Sequence, residues 1–245
     1  MTSESPHVAW LKAVSSERSE RIHLKFLLKH NTRFVPWLRD LYQFENILKS
    51  IVSYWKDKDK SSHNVFSNSL KYVESNTHIK TFVFEDYGTK GLTGDFEKGS
   101  FKSLVFDEGT SSDKGKGSLG GHGIGKNAVF GFSILRSLIY SSINEYGEYK
   151  FMGISKLGEY QDNQNKKRSH RIYYGNWDSV IPEKAEDLTH IENNESIPNI
   201  FKREGSGLSC YALGINISED FEWEKSVKEA FLKAFGVKFI GNHYF

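Results

Sequence analysis

The sequence predicts an α+β fold, with strands in adjacent groups and helices that cover one face of the sheet. In residues 21–28 every second side chain is apolar, which is the period of a half-buried strand. Between residues 38 and 55 the apolar side chains instead recur at steps of three and four, which predicts an amphipathic helix. Both periods are present in one chain without a regular alternation of strand and helix, and this favours the α+β class.

Composition and charge restrict the classes of function. The chain has 245 residues, of which 38% are hydrophobic, enough to bury a core. A formal net charge of +2 does not indicate binding to nucleic acid or to an acidic membrane. No segment resembles a transmembrane helix, and the start, MTSESPHVAW, does not resemble a signal peptide. Cys210 is the only cysteine, which excludes an internal disulfide and a cysteine metal site, so we expect a cytoplasmic protein.

The first part of the chain is predicted to contain three helices and two strands. In order, they are a short helix at 7–14, a strand at 21–28, a helix of about five turns that ends near Trp55 with Pro36 in its first turn, a second helix at 65–75 and a strand at 80–86. The charged segment between the two longer helices, residues 56–64, is predicted to be a solvated loop.

The second part begins with a glycine-rich segment, residues 107–125, which is predicted to be a mobile loop. The apolar residues from Val129 to Ile139 then predict a buried helix. The remaining predicted elements are strands at 148–155, 171–177 and 208–215, an exposed hairpin tip or loop at 161–170, and a closing helix on Trp223, Val227, Phe231 and Phe235.

The segment GGHGIGKNAVFG, residues 120–131, has the spacing of a phosphate-binding P-loop except for its last position. A P-loop follows a strand directly and has Ser or Thr after its lysine, to hold magnesium. Here a glycine-serine-lysine loop comes before the motif, and Asn127 follows Lys126. The alternative is a glycine lid that folds over phosphates with its N–H groups, the following helix N-terminus and Lys126. The lid is the favoured interpretation.

A second motif supports the lid interpretation. The segment FVFEDYGTKGLTGD places Asp86 at the end of a predicted strand, followed by Gly88 and Gly91. A carboxylate at this position can accept a hydrogen bond from an exocyclic amine such as that of adenine. Glycines allow the main chain to approach the base without a Cβ in the way. Glu85, the neighbour of Asp86 on the strand, is expected to face the other side of the sheet.

Together, EDYGTKGLTGD and GGHGIGKNAVFGFS resemble the GHKL superfamily of ATPases, whose nucleotide-binding domain is the Bergerat fold. More narrowly, they are similar to bacterial stand-alone or fused members. The resemblance covers roughly residues 8 to 240. It implies a single domain over residues 1–245: a two-layer α/β sandwich with a mixed, mainly antiparallel sheet and helices on one face. It also implies a helical insertion at about 30–78 and a glycine-rich lid at about 107–126.

The resemblance assigns an ATP-binding site. It implies that Asp86 contacts the adenine amine and that Gly88 and Gly91 shape the base pocket. Gly207 and Ser209 would lie near the base, where Leu208 replaces the threonine usual in the family. The phosphate lid would consist of Gly120, Gly121, His122, Gly123, Ile124, Gly125, Lys126 and Asn127. His122 could instead be a solvated loop residue.

The family's hydrolytic residues, a Glu and an Asn four positions later on an early helix, are not found. That helix is expected at about residues 4–14, where Ala9 or a neighbour occupies the position of the Asn and Glu4 precedes Pro6. Asn68 is a weaker candidate for a magnesium ligand, because the residue four positions before it is Asn64 rather than Glu.

The resemblance therefore implies an ATP- or ADP-binding domain, with Mg²⁺ as an accompanying cation and with weak or no hydrolysis by this chain. It would be an ATPase if the Glu/Asn helix lies upstream or has been overlooked. Such a domain is expected to act as a nucleotide-dependent switch for a protein partner or effector. Association with a second copy of the chain, as a homodimer, is a further alternative. A role in DNA transactions or phage defence is an analogy with the family only. The alternative is a nucleotide-independent protein-interaction scaffold with a degenerate pocket.

Overall fold

The computed structural model describes residues 7–14, 21–31, 44–95, 97–107, 124–162, 164–168, 170–177, 188–189, 192, 195, 197–215, 217 and 221–241. The described helices are α1 (Phe44–Trp55), α2 (Lys60–Ser75), α3 (Gly99–Val105), α4 (Ile124–Phe132) and α5 (Trp223–Gly241). The longer strands are β1 (His7–Val14), β2 (Arg21–Asn31), β3 (Ile79–Tyr87), β4 (Ser133–Ile143), β5 (Tyr149–Lys156), β8 (Arg171–Tyr174) and β11 (Gly207–Ile215). The two-residue strands are β6 (Tyr160–Gln161), β7 (Lys167–Arg168), β9 (Asn176–Trp177) and β10 (Leu188–Thr189).

Seven strands form one antiparallel sheet in the order β1-β2-β3-β11-β4-β5-β8. The late strand β11 lies between β3 and β4, so it occupies the centre of the sheet. In the register, Ser209 of β11 lies opposite Glu85 of β3 and Leu208 lies opposite Ser142 of β4. The end of β3, the start of β11 and the end of β4 therefore lie side by side, at the same end of these three central strands.

Two apolar clusters lie on opposite faces of this sheet. Strand β4 divides its side chains between them, because neighbours on a strand point in opposite directions: Ile139 belongs to the first cluster and Leu138 to the second. Helices α1 and α2 contribute Phe44 and Phe66, among others, to the first cluster. Helices α3, α4 and α5 contribute apolar side chains to the second, including Trp223 of α5. Helices thus pack on both faces, whereas the sequence prediction placed them on one.

The predicted α+β class with a mainly antiparallel sheet is confirmed. The predicted strands at 21–28, 80–86, 148–155 and 208–215 are present, as are the helices that end at Trp55 and Ser75 and the closing helix. Helix α2 begins within the predicted loop 56–64, because the Asp59 carboxylate accepts a 2.7 Å hydrogen bond from the N–H of Ser62 and caps it. The predicted hairpin tip corresponds to the short pair β6–β7.

The helix predicted at 7–14 is wrong, because this segment is strand β1, paired with β2 along its whole length. An eight-residue helix is marginal without tertiary support, whereas a neighbouring strand offers a complete set of main-chain partners.

The continuous helix predicted over 129–139 is also wrong. Helix α4 ends at Phe132, and strand β4 begins at the next residue. The apolar residues of β4 include the adjacent pairs Ile134–Leu135 and Leu138–Ile139, because the strand is buried on both faces, and the spacing of these pairs also fits a helical period. None of the described helices has the length and the apolar character that a membrane crossing requires.

Candidate functional site

Asp86 lies near the end of β3, where β11 begins beside it. Its Oδ1 atom accepts a 2.8 Å hydrogen bond from the main-chain N–H of Leu208 and a 2.6 Å hydrogen bond from the Thr89 hydroxyl. The side chain is half-buried. Within the described residues, Oδ2 of Asp86 accepts no hydrogen bond. One oxygen of the carboxylate thus fixes its orientation, and the other can accept a hydrogen bond from a ligand.

Glycines surround this carboxylate and adopt conformations that other residues rarely adopt. Gly88, Gly91 and Gly207 have φ angles of 72°, 63° and 132°. A Cβ on Gly207 would lie 2.6 Å from Oδ1 of Asp86, so β11 approaches the carboxylate more closely than a side chain would permit. A Cβ on Gly91 would lie 2.9 Å from Cα of Asn144. The structure therefore brings together four residues of the predicted base pocket: Asp86, Gly88, Gly91 and Gly207.

Ser142 of β4 connects this turn to the centre of the sheet. Its buried hydroxyl donates to the carbonyl of Gly207 at 2.8 Å and accepts from the N–H of Leu92 at 2.8 Å. The turn is also held by the N–H of Gly88, which donates to the carbonyl of Ser206 at 3.2 Å. The turn at residues 86–92 is therefore attached to β4 and to the segment before β11 by hydrogen bonds to its main-chain groups.

Ser209 points away from the Asp86 carboxylate. Its hydroxyl donates to Oε1 of Glu85 at 3.0 Å, and it accepts from Nη1 of Arg203 at 2.5 Å. All three residues are buried. Since Glu85 and Asp86 are neighbours on a strand, their side chains lie on opposite faces of the sheet, and Ser209 shares the face of Glu85. The residue of β11 whose main chain meets Asp86 is Leu208.

Tyr87 completes the polar network on the Glu85 side. The Arg203 guanidinium lies 4.6 Å from the centre of the Tyr87 ring, and the Tyr87 hydroxyl donates to Oε2 of Glu85 at 3.3 Å. Burial raises the pKa of Tyr87, and the neighbouring Glu85 carboxylate raises it further. The Tyr87 hydroxyl therefore remains protonated at neutral pH and serves as a donor to Glu85.

The predicted lid falls largely outside the described residues, which resume at Ile124. Gly120, Gly121, His122 and Gly123 are among those not described. Gly125, Lys126 and Asn127 belong to the first turn of α4, and their side chains are likewise outside the description. The described residues do not support the P-loop alternative, because helix α3 is the described element before the glycine-rich segment and the main sheet is antiparallel.

The structure does not bring the metal candidate to the carboxylate. Asn68 is exposed on α2 and lines a groove together with Phe84 of β3, and Asp86 is not among the described residues that line this groove. The segment where the resemblance locates the Glu/Asn helix includes strand β1. No group of three or more His, Cys, Asp or Glu side chains suited to a metal ion occurs in the described part of the chain.

A groove that sequence reasoning missed is lined by residues of the second face of the sheet, further along β3 from Asp86, and by Val65 and Asn68 of α2. Its volume is about 960 Å³, and its lining includes Phe82, Phe84, Phe132, Ile215, Trp223 and Val227. Phe132 is 64% exposed, although it is a large apolar side chain. Arg136 is exposed, has a φ of 46°, and is the only charged residue among the described residues that line the groove. The alternation of Phe82 and Phe84 on β3 was the available sequence signal.

Comparisons of the chain with models of protein families, with curated proteins and with solved structures gave no match. The residues and contacts described above are therefore the basis on which its function must be inferred.

Proposed function

We propose that the protein binds ATP or ADP in a GHKL-type pocket in which Asp86 recognises the adenine amine. The observation that supports the proposal best is that the two oxygens of the carboxylate have different environments. Oδ1 is held by Leu208 and Thr89, whereas Oδ2 has no partner in the described residues. An oriented carboxylate oxygen is a strong acceptor for an N–H donor, because hydrogen bonds to an ionised group are shorter and stronger than neutral ones.

The surrounding glycines support a flat ligand at this position. Gly88 and Gly91 adopt left-handed conformations beside the carboxylate, and Gly207 leaves no side chain between β11 and Asp86. The phosphates of the ligand would extend toward the glycine-rich segment before α4. The first N–H groups of a helix and the charge of Lys126 favour an anion there.

We expect this chain to hydrolyse ATP very slowly or not at all, even in the presence of Mg²⁺. Phosphoryl transfer requires a positioned base or water-orienting group and stabilisation of charge. Asn68 of α2 lines a groove whose described lining does not include Asp86, and residues 7–14 form a strand rather than the helix that carries the Glu/Asn pair in the family. Nucleotide binding would then serve as a conformational switch, which a protein partner or effector reads.

The decisive variant is Asp86→Asn. The amide oxygen of Asn can still accept from Leu208 and Thr89, while its NH₂ group would replace Oδ2 and face the adenine amine as a second donor. We expect a loss of ATP affinity of about ten-fold or more, because a donor then opposes a donor. Isothermal titration calorimetry gives the dissociation constants, and Asp95→Asn, in an exposed turn, is the matched control.

Two results would overturn the proposal. The first is that the folded wild-type protein shows no saturable binding of ATP or ADP. The second is that Asp86→Asn binds ATP as tightly as the wild type does. Circular dichroism and the melting temperature establish that each variant is folded.

The groove favours a second candidate, a protein-interaction scaffold that does not require nucleotide. Its lining is mainly apolar, with exposed Phe132 and Phe221 at its border and the single charge of Arg136. Such a surface fits an amphipathic helix of a partner, with apolar side chains in the groove and a carboxylate opposite Arg136. The charge of Arg136 favours an acidic over a basic partner segment.

A synthetic peptide helix tests the second candidate. One peptide has leucines along one face and a flanking glutamate, and its control has glutamine at that position. We expect the glutamate peptide to bind the wild type more tightly, and we expect this advantage to disappear in Arg136→Gln. Equal binding of both peptides to the wild type would contradict the assignment of the partner helix.

A further inference from the structure

Arg203 is a buried cation that holds three chain segments together beside the pocket. It is 4% exposed. Its Nε donates to the carbonyl of Gly205 at 2.9 Å, and Nη2 donates to the carbonyls of Asp86 and, at 3.3 Å, Ser206. The planar guanidinium thus connects the end of β3 to the segment before β11 in a geometry that a lysine cannot reproduce.

The charge of Arg203 is compensated on the first face of the sheet. Nη1 donates to the Ser209 hydroxyl, which in turn donates to the Glu85 carboxylate at 3.0 Å. The Tyr87 ring covers the guanidinium at 4.6 Å. A buried charge with this number of hydrogen bonds is strongly localised, since any displacement would leave polar groups without partners in a region of low dielectric constant.

The same contacts fix the main chain that carries the Asp86 carboxylate. Arg203 holds the carbonyl of Asp86 from one side of the sheet, and the N–H of Leu208 holds its Oδ1 atom from the other. Gly207 lies between them, and a Cβ there would be 2.7 Å from Nη2 of Arg203 and 2.6 Å from Oδ1 of Asp86. The position of the guanidinium and that of the carboxylate are therefore coupled through β11.

We infer that Arg203 is a positioning residue that sets the orientation of Asp86 and thereby the selectivity of the pocket for a 6-amino purine. This inference rests on the proposed nucleotide-binding function. Arg203 does not contact the base in this arrangement. It holds the backbone from which the recognising carboxylate projects, so its loss reduces discrimination between bases rather than attraction for phosphates.

The test compares ATP with inosine triphosphate, which has a carbonyl oxygen in place of the amine. We expect the wild type to favour ATP by about ten-fold or more, because a carboxylate facing the carbonyl oxygen has no donor. We expect Arg203→Lys to reduce this ratio to less than about three-fold, with little change in the affinity for inosine triphosphate. Ile139→Val, in the core away from this network, is the control for a general loss of stability.

Ser209→Ala provides a second variant if Arg203→Lys does not fold, because it removes the link between Arg203 and Glu85 and keeps both charges. A parallel loss of affinity for both nucleotides in the folded variants would overturn the positioning role and leave a structural one. An unchanged ratio would also overturn it. If the folded wild type binds neither nucleotide, the proposed function itself fails, and this outcome is distinct from both.

Discussion

The Oδ1 atom of Asp86 accepts a hydrogen bond of 2.8 Å from the main-chain N–H of Leu208, across the junction of β3 and β11. The Leu208 side chain belongs to the second apolar cluster, so this junction also adjoins the core. In the proposed GHKL-type pocket, Leu208 would occupy the position of a threonine and would supply its main-chain N–H but no hydroxyl. Recognition of a ligand at this junction is therefore expected to depend on Asp86 and on the shape of the main chain.

Substitution of Gly207 by alanine is expected to weaken ATP binding at least ten-fold, because the new Cβ would displace the Asp86 carboxylate. Gly147→Ala is the control, since Gly147 has a φ of 82° but no atom within 4 Å of the position of a Cβ. The control should lose stability through backbone strain and retain its affinity. Calorimetric titration measures both variants, and equal affinities would contradict the close approach at Gly207.

Binding and hydrolysis of ATP are expected to be separable in this chain. ATP should bind with a measurable dissociation constant, whereas phosphate release in the presence of Mg²⁺ should stay near the rate of a protein-free control. A positioned base alone accelerates a reaction by roughly 10²–10⁴-fold, and none of the residues that the structure describes is identified in that role. A coupled phosphate-release assay on the purified chain measures the rate. Robust turnover that Asp86→Ala abolishes would show that a catalytic residue was missed.

Adjacent residues of β4 are expected to be equally sensitive to truncation, because the strand is buried on both faces. Leu138 and Ile139 are 1% and 0% exposed and belong to different apolar clusters. Leu138→Ala and Ile139→Ala should each lower the free energy of unfolding by about 2–5 kcal/mol. Urea denaturation measures these changes. A large loss for only one of the two would indicate that one face of β4 is open to solvent.

The thiol of Cys210 is expected to react slowly in the folded protein. Burial raises its pKa to about 12, compared with about 8.5 for an ordinary cysteine. The thiolate is the reactive form, so alkylation of this half-buried thiol at pH 8 should be slower than that of a free thiol. Iodoacetamide labelling followed by mass spectrometry provides the rate. Labelling in denaturant is the control, and equal rates in the two conditions would contradict the burial.

The cap of α2 is expected to make stability depend on pH in the acid range. Hydrogen bonds from Ser62 lower the pKa of Asp59 in the folded state. A depressed folded-state pKa stabilises the protein above the pKa of the unfolded chain, and this stabilisation is lost as the pH falls through the folded-state value. Asp59→Asn retains a capping oxygen but should remove this part of the acid dependence. Thermal melts between pH 2 and about pH 6 compare the variants, and identical profiles would contradict the prediction.

The sequence by itself determined those features that depend on local pattern. The alternation of residues 21–28 and the apolar segments of β3, β5 and β11 are properties of each strand, and they identified the strands without knowledge of their neighbours. The Asp86 turn was identifiable for the same reason, since its glycines are required by local main-chain conformation. The opposite orientations of Glu85 and Asp86 also follow from strand geometry alone.

Only the tertiary structure decided the features that depend on partners distant in the sequence. Residues 7–14 form a strand because β2 offers a complete register, and β4 is a strand because it is buried on both faces. Arg203 lies more than a hundred positions after Asp86 along the chain, so no local pattern could connect them. Ser209 faces Glu85 rather than the side of Asp86 because the register of β11 against β3 fixes which face each residue takes. Pairing and burial are non-local, and they are the physical reason for these differences.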